Sequence, residues 1–177
     1  MSGLDSGTII LIPCGPVPPA VLEYVAEGLG RELGARVRPG EGEAVAAEAL
    51  DPGRRQYRAE AFLPLLARQR AAGELALGIT GVDLFIAGLN FVFGLADPRQ
   101  RCAVISLARL TPEFYGQPPD PRLFQERVLK EAVHEVGHLL GLGHCPNPAC
   151  IMFFSNQLSD TDRKGPGFCA ACRRSLK

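Results

Sequence analysis

Val133-His134-Glu135-Val136-Gly137-His138-Leu139-Leu140-Gly141-Leu142-Gly143-His144-Cys145 contains every histidine of the 177-residue chain. The pattern is H-E-x-x-H-x-x-G-x-x-H. His134 and His138 are four residues apart, so on a helix they stand one above the other and both imidazoles reach one ion. Glu135 is turned by about a quarter to a third of a revolution, a position better suited to meeting a metal-bound water than to ligating. Gly141 lets the chain leave the helix through a left-handed conformation and swings His144 back as a third nitrogen ligand. Three protein ligands leave one position of a tetrahedral zinc open, which is the arrangement of a catalytic site. H-E-x-x-H alone also arises where His and Glu decorate a solvated helix face. The extension through Gly141 and His144 is far more specific and points to zinc.

Working outward, Asp120 is placed to cap and Pro121 to open a helix that runs to about Leu140. Leu129, Val133, Val136 and Leu140 follow a four-three-four spacing and form its buried seam. Beyond His144, Cys145 and Cys150 are followed by Cys169-Ala170-Ala171-Cys172. Two cysteine pairs separated by a loop match a closed four-thiolate zinc site. Such a site would fix a C-terminal segment poor in large apolar residues through metal-coupled folding. A redox pair or two disulfides are the competing readings, and a redox pair would need a helix after Cys172, five residues from the end.

Upstream, Thr8-Ile9-Ile10-Leu11-Ile12 reads as a buried strand. Pro13-Cys14-Gly15 has the form of a thiolate switch that blocks zinc, although a small buried residue at a strand end is the simpler reading. Val21, Val25, Leu29 and Leu33 make Pro18–Leu33 an amphipathic helix stopped at Gly34. Ala35–Arg38 suits a short strand and Pro39–Gly53 an exposed connection. Arg54–Gly73 is expected as a second helix, kinked at Pro64. Strands follow at Ala76–Thr80, Phe91–Gly94 and Ala103–Leu107, with turn chemistry at Asp97-Pro98. The order β-α-β-α-β-β-β favours a mixed sheet with helices packed on it.

Composition limits the function classes. Lys+Arg 19 balances Asp+Glu 19, so nothing suggests nucleic acid or an anionic membrane surface. No apolar run approaches the roughly 20 residues of a membrane span, and the N-terminus lacks the features of a signal peptide. A cytoplasmic protein is expected, where structural disulfides are uncommon.

Ile151-Met152-Phe153-Phe154-Ser155 lies between the cysteine pairs. With it, the string from His134 through Cys172 resembles the archaemetzincins, a branch of the metzincin metalloproteases, and the resemblance extends upstream through Ile10–Pro18, Arg54–Tyr57, Leu77–Phe93 and Val104–Tyr115. It implies an α+β, metzincin-like zincin fold. That fold has an α/β-like N-terminal subdomain (1–141), with a twisted mixed sheet and its backing and active-site helices. A small irregular C-terminal subdomain (142–177) follows. It further implies two zinc ions, a catalytic one on His134, His138 and His144 and a structural one on Cys145, Cys150, Cys169 and Cys172. Glu135 would be the general base and Met152 the methionine beneath the catalytic ion. The expected activity is zinc-dependent hydrolysis of peptide bonds in a peptide or protein substrate, by a monomer. The alternative is a non-catalytic zinc module that binds peptides, against which Glu135 argues.

Further expectations concern the substrate. Phe91–Gly94 or Ala103–Leu107 would be the edge strand that pairs with an extended peptide. Phe153 and Phe154 would line a side-chain pocket. With no histidine left over, Tyr115 is the tyrosine to test as stabiliser of the oxyanion.

Overall fold

The computed structural model describes residues 7–176. In chain order the elements are β1 (Thr8–Cys14), α1 (Pro19–Leu33), β2 (Arg36–Pro39), β3 (Leu50–Asp51), β4 (Gln56–Arg58), α2 (Leu63–Ala67), β5 (Leu75–Thr80), β6 (Leu84–Phe85), β7 (Gly94–Asp97), β8 (Cys102–Ser106), α3 (Pro121–Leu139), α4 (Leu158–Arg163) and α5 (Ala170–Ser175). Short 3₁₀ turns precede β3, α2 and α3.

The main sheet has the order β2-β1-β5-β8-β7. Its first four strands run parallel and β7 runs antiparallel to β8. A smaller sheet, β3-β4-β6, stands beside it. Strands covered on both faces need apolar residues at consecutive positions rather than alternating ones, which explains Ile9-Ile10-Leu11-Ile12 and the fully buried β5. Ile9 and Leu11 share one core with Val25 and Leu29 of α1 and Val133 and Val136 of α3. Ile10, Ile12 and Cys14 share the other with Phe62 and Leu66. The result is a mixed α+β fold, with α3 laid across the face of the sheet that also carries α1. Among the described residues no helix is long and apolar enough to cross a membrane.

Three expectations change. Arg54–Gly73 is not one helix. Gln56–Arg58 pairs with β3 and β6, and a 3₁₀ turn (Ala59–Phe62) leads into the five-residue α2. Pro64 falls in the first turn of α2, where its missing N–H has no helical partner to lose, so it starts a helix instead of kinking one. Ala103–Leu107 cannot be an edge strand, because β8 lies between β5 and β7. The edge is β7, displaced from the expected Phe91–Gly94 to Gly94–Asp97. Cys14 is no zinc switch: its side chain is completely buried on the sheet face opposite α3, and burial beside Glu43 pushes its thiol up to about 12.

Candidate functional site

The site is built on the C-terminal half of α3. Asp120 accepts a hydrogen bond from the Leu123 N–H at 3.0 Å and opens the helix as expected. Leu129, Val133 and Val136 are buried against the sheet, which fixes the rotation of α3 and turns His134, Glu135 and His138 toward a cleft of about 620 Å³. The helix ends in a Schellman motif. Leu142 N–H bonds Gly137 O and Gly141 N–H bonds His138 O, both at 3.0 Å, with Gly141 left-handed at φ 89°. That geometry satisfies the terminal carbonyls and reverses the chain, bringing His144 to the other two histidines.

The ring nitrogens are held from behind. His134 Nδ1 lies 2.8 Å from Ile151 O, and His138 Nδ1 lies 2.8 Å from Leu142 O. A carbonyl partner puts the proton on Nδ1 and leaves Nε2 with its lone pair free, the tautomer a metal ligand needs. The two Nε2 atoms approach to 3.1 Å. Tetrahedral ligands about 2.0–2.1 Å from zinc would be about 3.3 Å apart, so this pair has the spacing of two ligands on one ion. The ligating atoms of His134, His138 and His144 all lie within 4.8 Å of one another. Burial, then the charge on Lys164, pushes His134 down to about 4. Burial likewise lowers His138 and His144. All three are therefore neutral imidazoles at neutral pH.

Glu135 faces the same cleft and is 5% exposed. Its carboxylate lies against Gly94 of β7, where a side-chain carbon would come 2.7 Å from Glu135 Oε1. Burial, reinforced by the charge of Glu131, pushes Glu135 up to about 8, while Lys164 opposes the shift. Met152 packs below the helix against Gly137, as the resemblance implies. A Cβ on Gly137 would fall 3.2 Å from Met152 Cε and 3.1 Å from the Phe168 ring.

The four cysteines form a second cluster beside the first. Cys145 Sγ and Cys169 Sγ are 3.8 Å apart, and Cys150 Sγ and Cys172 Sγ 3.7 Å. Four thiolates about 2.3 Å from a tetrahedral zinc would be about 3.8 Å from one another. All are free thiols. Hydrogen bonding, chiefly from the Cys172 backbone, draws Cys169 down to about 6, while burial raises Cys172, so without metal the cluster favours a thiolate at Cys169 and not at every position.

Of the remaining expectations, Phe154 lines the cleft and packs on His144 with ring centroids 4.7 Å apart, whereas Phe153 does not line it. Tyr115 is also outside the lining, and its hydroxyl donates to Arg109 O at 3.1 Å. Two residues escaped the sequence reading. Glu131 lines the cleft three residues before His134 and four before Glu135, a spacing that marks the same helix face. Gly94 had no such signal, since its role depends on how β7 meets α3.

Residues 42–177 match the model of peptidase family M54. An archaemetzincin of Pyrococcus abyssi is 48% identical over 97% of this chain and 95% of its own. Among solved structures, archaemetzincin from Methanopyrus kandleri superposes with a TM-score of 0.85 at 38% identity, covering 97% of this chain and 93% of that one. Archaemetzincin from Archaeoglobus fulgidus, complexed with malonate, gives 0.83 at 38% identity over 96% and 99%. The chain belongs to the archaemetzincins of peptidase family M54 and is a zinc-dependent metallopeptidase.

Proposed function

We propose that His134, His138 and His144 hold a catalytic zinc, that Glu135 is the proton carrier of peptide hydrolysis, and that Cys145, Cys150, Cys169 and Cys172 hold a structural zinc. One observation carries the reading. Two histidines present free Nε2 atoms 3.1 Å apart, beside a buried carboxylate on the same helix.

A zinc held there would supply Lewis acidity, enough to bring the pKa of water toward about 7 and to polarise the peptide carbonyl. The protein's own groups do the rest. The backbone carbonyls of Ile151 and Leu142 lock the two imidazole rings in the ligating orientation. Glu135 takes the proton of the attacking water and delivers it to the departing amine. Burial and the charge of Glu131 raise the carboxyl of the metal-free site, and the positive charge of a zinc held beside it would oppose that rise, favouring the ionised form that accepts the water proton. Gly94, by having no side chain, lets the carboxylate lie against the edge strand. The free edge of β7 runs along the cleft and can align an extended peptide through main-chain hydrogen bonds.

The second zinc would tie residues 142–177 together as a C-terminal subdomain beside the 1–141 subdomain. We assign the working form to a monomer in the cytoplasm, where free thiols persist. Metal removal tests the two sites together. Dialysis against a chelator should abolish peptide cleavage, and one zinc per three-histidine site should restore it in protein whose thiolate site is still filled. Cleavage that continued in metal-free protein would reject the catalytic zinc.

A further inference from the structure

Behind the zinc ligands, the cleft reaches a buried ion pair that the hydrolytic mechanism does not use. Glu131 lines the cleft and is 2% exposed. Its Oε1 lies 3.1 Å from Lys164 Nζ and accepts a hydrogen bond from Thr161 Oγ1 at 2.9 Å. The hydrogen bond and the ion pair of Glu131 both fall on Oε1, and Lys164 Nζ, buried with no hydrogen-bond partner, meets it as a charge. Lys164 is 1% exposed and is not part of the cleft lining. It stands behind Glu131, held there by the segment around α4. Arg127 makes two hydrogen bonds to Asp162 at 2.8 and 2.9 Å, and Lys130 Nζ donates to the carbonyls of Thr161 and Asp162, both at 3.1 Å. The cleft is thus lined by a carboxylate whose partners, Lys164 and Thr161, both meet the same oxygen, Oε1.

We infer that Glu131 is a specificity-determining residue, and that its other oxygen, Oε2, accepts a hydrogen bond from a donor-bearing side chain of the substrate beside the scissile bond. The inference rests on the peptidase reading of the same cleft. Glu131 is one helical turn, about 6 Å along the axis, from Glu135. That separation puts it beyond the reacting bond but within reach of a neighbouring side chain. An apolar side chain entering there would strip the carboxylate of water and return no donor. A carboxylate side chain would meet like charge, with Lys164 shielded behind Glu131. An amide or ammonium group satisfies the oxygen, and a site built around such a bond discriminates strongly against analogues that lack it.

The test uses zinc-loaded Glu135→Gln protein, which should turn peptides over too slowly to disturb a binding measurement, and a peptide series carrying Gln, Lys, Leu or Glu on each side of the cleavable bond. Binding should be tighter for Gln and Lys than for Leu, and weakest for Glu, with about tenfold or more between Gln and Glu at one of the two positions. Adding Glu131→Leu together with Lys164→Met removes both charges at similar volume, a replacement buried ion pairs often tolerate. Zinc content and circular dichroism should be unchanged and the preference should turn to Leu. Should that variant fail to fold, Glu131→Gln with Lys164→Met, which keeps a polar side chain and leaves no buried charge unpaired, should still narrow the gap between Gln and Glu. Equal binding of all four peptides, or a preference for Glu, overturns the inference. Absence of cleavage by wild-type protein would instead count against the peptidase reading, because the binding order is measured without turnover.

Discussion

Gly94 and Glu135 are in contact across the cleft: a single methyl group on Gly94 would lie 2.7 Å from both Cγ and Oε1 of the Glu135 side chain. The edge strand therefore sets the position of the carboxylate. Gly94→Ala should displace it while leaving both ligand clusters intact. Misplacement of a reacting group by about 1 Å can cost about 100-fold, so kcat should fall about 10- to 100-fold with zinc content and KM little changed. Unaltered kcat in a zinc-replete Gly94→Ala protein would show that the strand does not position Glu135.

Gly137 and Met152 form the corresponding contact below the helix. Gly137→Ala inserts a methyl group against Met152 and Phe168. Overpacking a filled site costs about 1–3 kcal/mol, whereas Met152→Leu, a volume-conserving change, costs less than about 1.5 kcal/mol. Urea unfolding of the two variants should show this order. The reverse order would mean that the floor under the ligands is loosely packed.

The thiolate cluster makes a prediction about local order. Cys172→Ser should lower the metal content from two ions to one and raise amide exchange across 145–176, leaving β1, β5 and β8 protected. Metal binding contributes folding free energy where apolar residues are few, and within α4 and α5 only Thr161 is buried. Full protection of this segment in the variant would assign its order to packing alone.

The pH dependence of the metal-free protein isolates Glu135. Its carboxyl is raised from 4.5 to about 8, so between those values the folded protein keeps a proton that the unfolded chain releases. The stabilisation is complete below pH 4.5 and is lost as pH rises toward 8. His134, lowered from 6.5 to about 4, acts in the opposite sense and loses stabilisation as pH falls from 6.5. Cys169, lowered from 9.0 to about 6, contributes stability that grows above pH 6. Both histidine and cysteine effects cancel when wild type is compared with Glu135→Gln. From pH 6.5 to 8 the wild type should lose about 2 kcal/mol relative to that variant. A constant difference would show that Glu135 is already ionised in the metal-free fold.

Most of the candidate site was legible because the residues that could hold metal lie close together in sequence. Helical spacing puts His134 and His138 on one face, Gly141 reverses the chain, and the cysteine pairs have metal-ligand spacing. The central strands were legible because burial on both faces leaves long apolar runs. Arg54–Gly73 misled because Tyr57, Ala61, Leu65 and Arg68 imitate a helix face, while the buried apolar residues are Ala59, Phe62, Leu63 and Leu66. Strand pairing of Gln56–Arg58 with β6 overrides that local pattern. The Glu131–Lys164 pair spans thirty-three positions and depends on how α4 docks, which no local spacing encodes.

Hydrolysis itself is tested most directly by digesting one peptide library with zinc-replete wild-type protein and zinc-replete Glu135→Gln in parallel. The account predicts that the wild type cleaves and that the variant, with the same metal content, is slower by about 100- to 10,000-fold, the usual contribution of a positioned acid–base group. Equal cleavage by the two proteins, or none by either, would contradict it.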